Sequence, residues 1–61
     1  MKLTAKQEAF AQAVADGMTQ ADAYRKAYDA GRMKPETIQQ VASRLMADRK
    51  VSARAAELRA K

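Results

Sequence analysis

The stretch Pro35–Ala47, PETIQQVASRLMA, places Glu36, Thr37, Gln40, Ser43 and Arg44 on one side of a helix, with Gln39 at the edge. At about 100° per residue, Ile38, Val41, Ala42 and Leu45 fall on the other side and make the core face. The outward types are those that read base edges in the major groove. A Gln amide pairs with adenine, Arg with guanine, Glu with cytosine N4, and the Thr methyl meets thymine. Arg32 and Lys34 precede the stretch, and Arg49 and Lys50 follow it. Cations at both ends suit phosphate contacts, which position a helix without reading sequence. The same residues also describe the solvated face of an ordinary surface helix, with Arg49, Lys50 and Arg54 merely solubilising the helix that follows.

The chemistry that is missing narrows the reading. The chain has no His and no Cys. The commonest general base, the commonest metal ligand, thiolate sites and disulfides are therefore all absent. The acids are scattered, there is no glycine-rich phosphate loop, and no zinc or calcium spacing occurs. Ser43 and Ser52 have no His to activate them. The expectation is a binding module: no enzyme, no cofactor, no metal. The longest purely apolar runs, such as Ala9-Phe10-Ala11, are too short to span a membrane or to form a signal-peptide core.

Helices must position these residues. Gly17, Gly31 and Pro35 are the only Gly and Pro residues in the 61-residue chain, and alanine-rich intervals poor in β-branched residues lie between them. A first helix is expected over 5–16. It is capped by Thr4 with Gln7 as the capping-box partner, buries Phe10, Ala13 and Val14 behind a leading Leu3, and ends at Gly17. A second is expected over 20–29, capped by Thr19, with Ala23, Tyr24, Ala27 and Tyr28 in one stripe. The third, Pro35–Ala47, starts on a proline suited to the first helical position; Thr37 with Gln40 offers a later start. The fourth begins after Asp48 and runs past Leu58, with Val51, Ala55 and Leu58 on one side. Tyr24 and Tyr28, one turn apart, are either core residues or base-stacking platforms. Met18, Met33 and Met46 read as gap fillers.

Composition sets the scale. Fifteen of the apolar residues are alanine, so the core has few large side chains and marginal stability is expected. The formal charge of +5 lies entirely in residues 30–61, which hold eight basic and three acidic groups, whereas residues 1–29 balance four against four. A surplus confined to one region suits an anionic partner there. Two short helices joined near 30–34 suggest a helix-turn-helix, the second helix entering the groove. The fold expected is all-α, a small four-helix domain containing a helix-turn-helix. The chain is expected to be a single DNA-binding domain over 1–61, the N-terminal part of a longer protein, because its last residues continue a helical pattern.

The order and spacing of several strings sharpen this. Leu3-Thr4-Ala5-Lys6-Gln7-Glu8-Ala9-Phe10 is followed by Thr19-Gln20-Ala21-Asp22-Ala23-Tyr24 and Ala27-Tyr28. Then come Met33-Lys34-Pro35-Glu36-Thr37-Ile38, Ala42-Ser43-Arg44-Leu45-Met46 and Lys50-Val51. Over residues 3–59 the chain resembles the N-terminal DNA-binding domain of the phage terminase small subunit. The resemblance implies recognition of the packaging site on duplex viral DNA, in the cytoplasm of the bacterial host. It also implies recruitment of the terminase large subunit and a homo-oligomeric ring, both through regions outside this chain. DNA contacts would fall on Arg32, Lys34, Glu36, Thr37, Gln39, Gln40, Ser43, Arg44, Arg49 and Lys50. Two features differ from many relatives: the turn before the third helix is longer and lacks a Ser or Thr cap, and Asp48-Arg49 stands where Asn-Pro often does. A small helix-turn-helix transcription regulator, or a protein-interaction module using Ala53, Ala56 and Ala60 on the fourth helix, are the alternative readings.

Overall fold

A computed structural model describes residues 3–60; Met1, Lys2 and Lys61 lie outside the described residues, and with them the basic side chains of Lys2 and Lys61. The described residues form four helices and no strand: α1 (Ala5–Ala15), α2 (Gln20–Ala27), α3 (Pro35–Ala47) and α4 (Arg49–Arg59).

Local chemistry sets most of the boundaries. At α1, the Thr4 hydroxyl accepts from the Gln7 N–H at 3.1 Å and the Gln7 side chain accepts from the Thr4 N–H at 3.0 Å, a complete capping box. Its far end closes as a Schellman turn: the Gly17 N–H donates to the Val14 carbonyl (3.0 Å) and the Met18 N–H to that of Ala13 (3.2 Å). Gly17 takes φ +100°, a conformation that disfavours any residue with a Cβ. Thr19 caps α2 by accepting from the Asp22 N–H at 3.1 Å.

The second helix is shorter than the sequence suggests. It stops at Ala27, and Tyr28 is extended at φ −122°, ψ 150°. Continuing to residue 29 would set the Asp29 carboxylate at the negative end of the helix dipole. Leaving the helix instead takes Ala30 into the core, where it is 7% exposed. Tyr28 lies against Tyr24 with ring centroids 4.6 Å apart and planes 14° apart, and the Lys6 ammonium stands 5.7 Å from the Tyr28 ring centre. Burial, with the neighbouring Tyr24 second, raises the Tyr28 phenol above its ordinary pKa. These rings pack the protein interior; Tyr24 is buried and Tyr28 half-buried.

The helices pack in cyclic order, α1 on α2 and α4, α3 on α2 and more lightly on α4. α1 has neighbours on two sides and buries Phe10, Ala11, Ala13 and Val14, of which Ala11 falls outside the stripe expected from sequence. α3 also has two neighbours but packs more lightly on α4, and buries Ile38 and Ala42. Val41 and Leu45, expected in the core, are half-buried and lean on its edge, as does Leu58. The largest fully buried side chains are Phe10, Ile38 and Val51, one each from α1, α3 and α4.

One polar contact ties the chain's two ends together. Arg54 of α4 donates through Nε to both Glu8 oxygens (2.9 and 3.0 Å) and through Nη2 to Oε2 (3.0 Å). Gln12 donates to the same Oε2 at 3.0 Å, and Arg54 Nη1 reaches Glu57 at 3.2 Å. Arg54 is thus a bridge between helices and not a free surface cation. The Arg54 hydrogen bonds, with Gln12 second, hold the Glu8 carboxyl below its ordinary pKa.

Two outcomes follow for stability. Ile38→Ala is expected to lower the unfolding free energy in urea by about 2–5 kcal/mol, and Leu45→Ala by less, because Leu45 leaves a half-open site and not a sealed cavity; the reverse order would displace Ile38 from the centre of the core. For Glu8, a lowered folded pKa means that its contribution is full above the unfolded carboxyl's pKa and is lost as pH falls through the folded value. Thermal melts at about pH 7 and pH 3 should therefore show a smaller acid-induced drop in Glu8→Gln than in wild type. Equal drops would remove Glu8 from the acid response.

Candidate nucleic-acid interface

The outward face of α3 is set by how the helix begins. Lys34, at φ −70° and ψ 148°, has the extended geometry that a following proline enforces, and Pro35 supplies the first helical residue without an N–H to satisfy. Lys34 makes no side-chain cap and is exposed at the start of the helix, and the later start at Thr37 does not occur. With the phase fixed by Ile38 and Ala42 inward, Glu36, Thr37, Gln39, Gln40, Ser43 and Arg44 are all exposed.

The far end turns on a single residue. Asp48 closes α3, its N–H donating to the Leu45 carbonyl at 3.1 Å, and opens α4, its carboxylate accepting from the Lys50 and Val51 N–H groups at 2.8 and 3.4 Å. Arg49 and Lys50 therefore stand at the corner where α3 ends, both exposed. Arg32 and Lys34, also exposed, lie in the connection before α3. The 13-residue helix separates these two basic pairs by about 20 Å.

All ten residues singled out from the sequence are thus at the surface. Arg32, Lys34, Arg44 and Arg49 form no ion pair with the described residues. The acids nearest in sequence are Asp29 in the connection, Glu36 in the first turn of α3 and Asp48, the helix cap. The α3 face is thus bracketed by exposed cations, with the Asp48 carboxylate at one corner and Glu36 in the first turn.

The structure adds a feature that helical periodicity does not reveal. Gln39 and Ser43 of α3 share a cleft of about 390 Å³ with Thr19, Gln20 and Ala21 at the start of α2. The remaining eight residues do not line it. Only the packing of α2 on α3 brings those segments together, so nothing in the spacing of either helix signals it. The connection between these helices covers residues 28–34, longer than the three or four residues of a helix-turn-helix turn. The architecture shows four packed helices and does not by itself establish that motif.

Among the described residues no three acids group closely enough to hold a metal ion, and no helix is long and apolar enough to cross a membrane. Comparisons with protein-family models, curated proteins and solved structures give no match for this chain.

Because these side chains are exposed and make none of the core, alanine substitutions at Gln40, Ser43 or Arg44 are expected to leave stability within about 0.5 kcal/mol of wild type in urea titrations. A loss of about 2 kcal/mol or more at any of them would give that residue a packing role.

Proposed function

We propose that the chain is the DNA-binding domain of a viral genome-packaging terminase small subunit, recognising the packaging site on duplex DNA and helping to recruit the large subunit. The sequence resemblance over residues 3–59 supports the family. The observation that carries DNA binding is the exposed polar face of α3 bracketed by basic residues, with Arg32, Lys34, Arg44 and Arg49 forming no ion pair among the described residues. In this reading α3 enters the major groove. Gln39, Gln40, Arg44, Glu36 and Thr37 meet base edges, while Arg32, Lys34, Arg49 and Lys50 sit against phosphates. Ser43 donates to either.

The mechanism is binding, without bond chemistry or cofactor. A single domain of this size is proposed to bind weakly, at roughly 10⁻⁴–10⁻⁶ M, with useful affinity arising when several copies in a ring engage the same DNA. A second reading has its own observation: Ala53, Ala56 and Ala60 are all exposed, opposite the Val51–Ala55 side of α4, and offer a smooth face to another protein. A stable dimer in light scattering, with no DNA shift, is its signature.

Fluorescence anisotropy with a short duplex tests the proposal. Affinity is expected to fall steeply between about 50 and 200 mM salt. Arg44→Ala should weaken binding by about 1–3 kcal/mol if the guanidinium reads a base. If it meets only phosphate, the loss should be the same for every sequence and the salt slope should fall by about one. Lys26→Ala, which removes equal charge from an exposed position on α2, serves as the control and should have the smaller effect. Wild-type affinity in Arg44→Ala, or affinity insensitive to salt, removes the α3 face from DNA binding.

A further inference from the structure

The cleft between α2 and α3 differs in chemistry from the basic ends of α3. Its lining residues are Thr19, Gln20, Ala21, Gln39 and Ser43, none of them charged. The Thr19 hydroxyl is occupied with the Asp22 N–H. The side chains of Gln20, Gln39 and Ser43 have no hydrogen-bond partner among the described residues, and all three are exposed. Two free carboxamides and a hydroxyl, from two helices, therefore border one concave surface. A phosphate placed there would meet no cationic side chain on the lining, only the positive end of the α2 dipole, with Asp22 in the first turn of the same helix. A neutral group with adjacent donor and acceptor atoms meets complementary partners instead.

We infer that this cleft receives a base edge, and that Gln20 of α2 is a specificity-determining residue alongside Gln39 of α3. The inference rests on the duplex-DNA reading and deepens it. A carboxamide accepts from an exocyclic amine while donating to a ring nitrogen beside it, and in the major groove adenine presents that pair as N6–H and N7. The ligand class is accordingly an adenine edge in duplex DNA, read by side chains of two helices.

The test is selection from a randomised duplex pool by wild-type protein and by Gln20→Ala, each first checked for an unchanged melting transition. Wild type is expected to enrich adenine at one or more positions, and Gln20→Ala to lose the preference at one of them while keeping its salt slope. On the selected duplex, replacing that adenine by 7-deazaadenine, which lacks the N7 acceptor, should weaken wild-type binding about tenfold and leave Gln20→Ala nearly unaffected. Made at each enriched adenine in turn, this second measurement on unaltered protein stands even if the variant folds poorly. Identical selections by the two proteins, or no effect of 7-deazaadenine on wild type, overturn the adenine-edge assignment and leave DNA binding intact. A uniform loss across all sequences with a shallower salt slope in Gln20→Ala makes the residue a backbone contact and overturns it equally. Failure of wild type to retain any duplex at low salt removes the DNA reading itself, and this inference with it.

Discussion

Everything in this domain depends on packing four helices with very little apolar bulk. Among the described residues Phe10, Ile38 and Val51 are the largest sealed side chains, and six of the eleven that are buried are alanine: Ala11, Ala13, Ala23, Ala30, Ala42 and Ala55. Alanine contributes little area per residue but lets helix backbones approach closely, so dispersion contacts are gained between main chains as well as between side chains. A core of that kind has no spare volume to reorganise. It places the burden of positioning on the few large groups and on the helix ends, where Thr4, Thr19 and Asp48 each satisfy backbone donors that would otherwise have no partner.

How much of this the sequence discloses depends on whether the controlling interaction is local. Thr4 with Gln7, Gly17, Thr19, Pro35 and Asp48 act within a few residues of themselves, and the helix starts they mark agree with the structure. The end of α2 is not local: it is set by Ala30 reaching the core and Tyr28 reaching Tyr24, and the stripe pattern carries on through it. Val41 and Leu45 read as core because periodicity reports which side of α3 faces inward. It does not report that α3 packs more lightly on α4 than on α2. Arg54 and Glu8 are 46 positions apart, and only the packing of α4 on α1 distinguishes that pair from two ordinary surface charges.

The candidate site shows the same division. Exposure of the six residues on α3 follows from the phase of that helix, anchored by Ile38 and Ala42, and is legible; Arg32, Lys34, Arg49 and Lys50 are exposed at its two ends. The juxtaposition of Gln20 with Gln39 and Ser43 belongs to the pairing of α2 with α3 and is not. Charge is intermediate. The surplus in the second half is plain in the composition, but which cations are available depends on their partners. Arg54 is drawn into the Glu8 network, and Arg25 lies 3.7 Å from Asp22. Arg32, Lys34, Arg44 and Arg49, on α3 or at its ends, form no ion pair among the described residues.

The long connection before α3 bears directly on whether that helix can serve as a reading head. A seven-residue tether over 28–34 would allow α3 to swing if it were loose, and a swinging helix cannot hold side chains to a fixed register of bases. Here the tether is anchored at several points. Tyr28 is stacked on Tyr24, Ala30 is buried, and the Met33 N–H donates to the Ala30 carbonyl at 3.1 Å. Beyond it, Pro35 fixes the first φ of the helix, and Ile38 locks its rotation in the core. Length is thus offset by burial. The orientation of α3 is held from the α2 side by apolar contacts and from the α4 side by the one-residue turn at Asp48. Its outward face takes no part in either restraint, so the residues there are free to be chosen for what they contact and not for what they support.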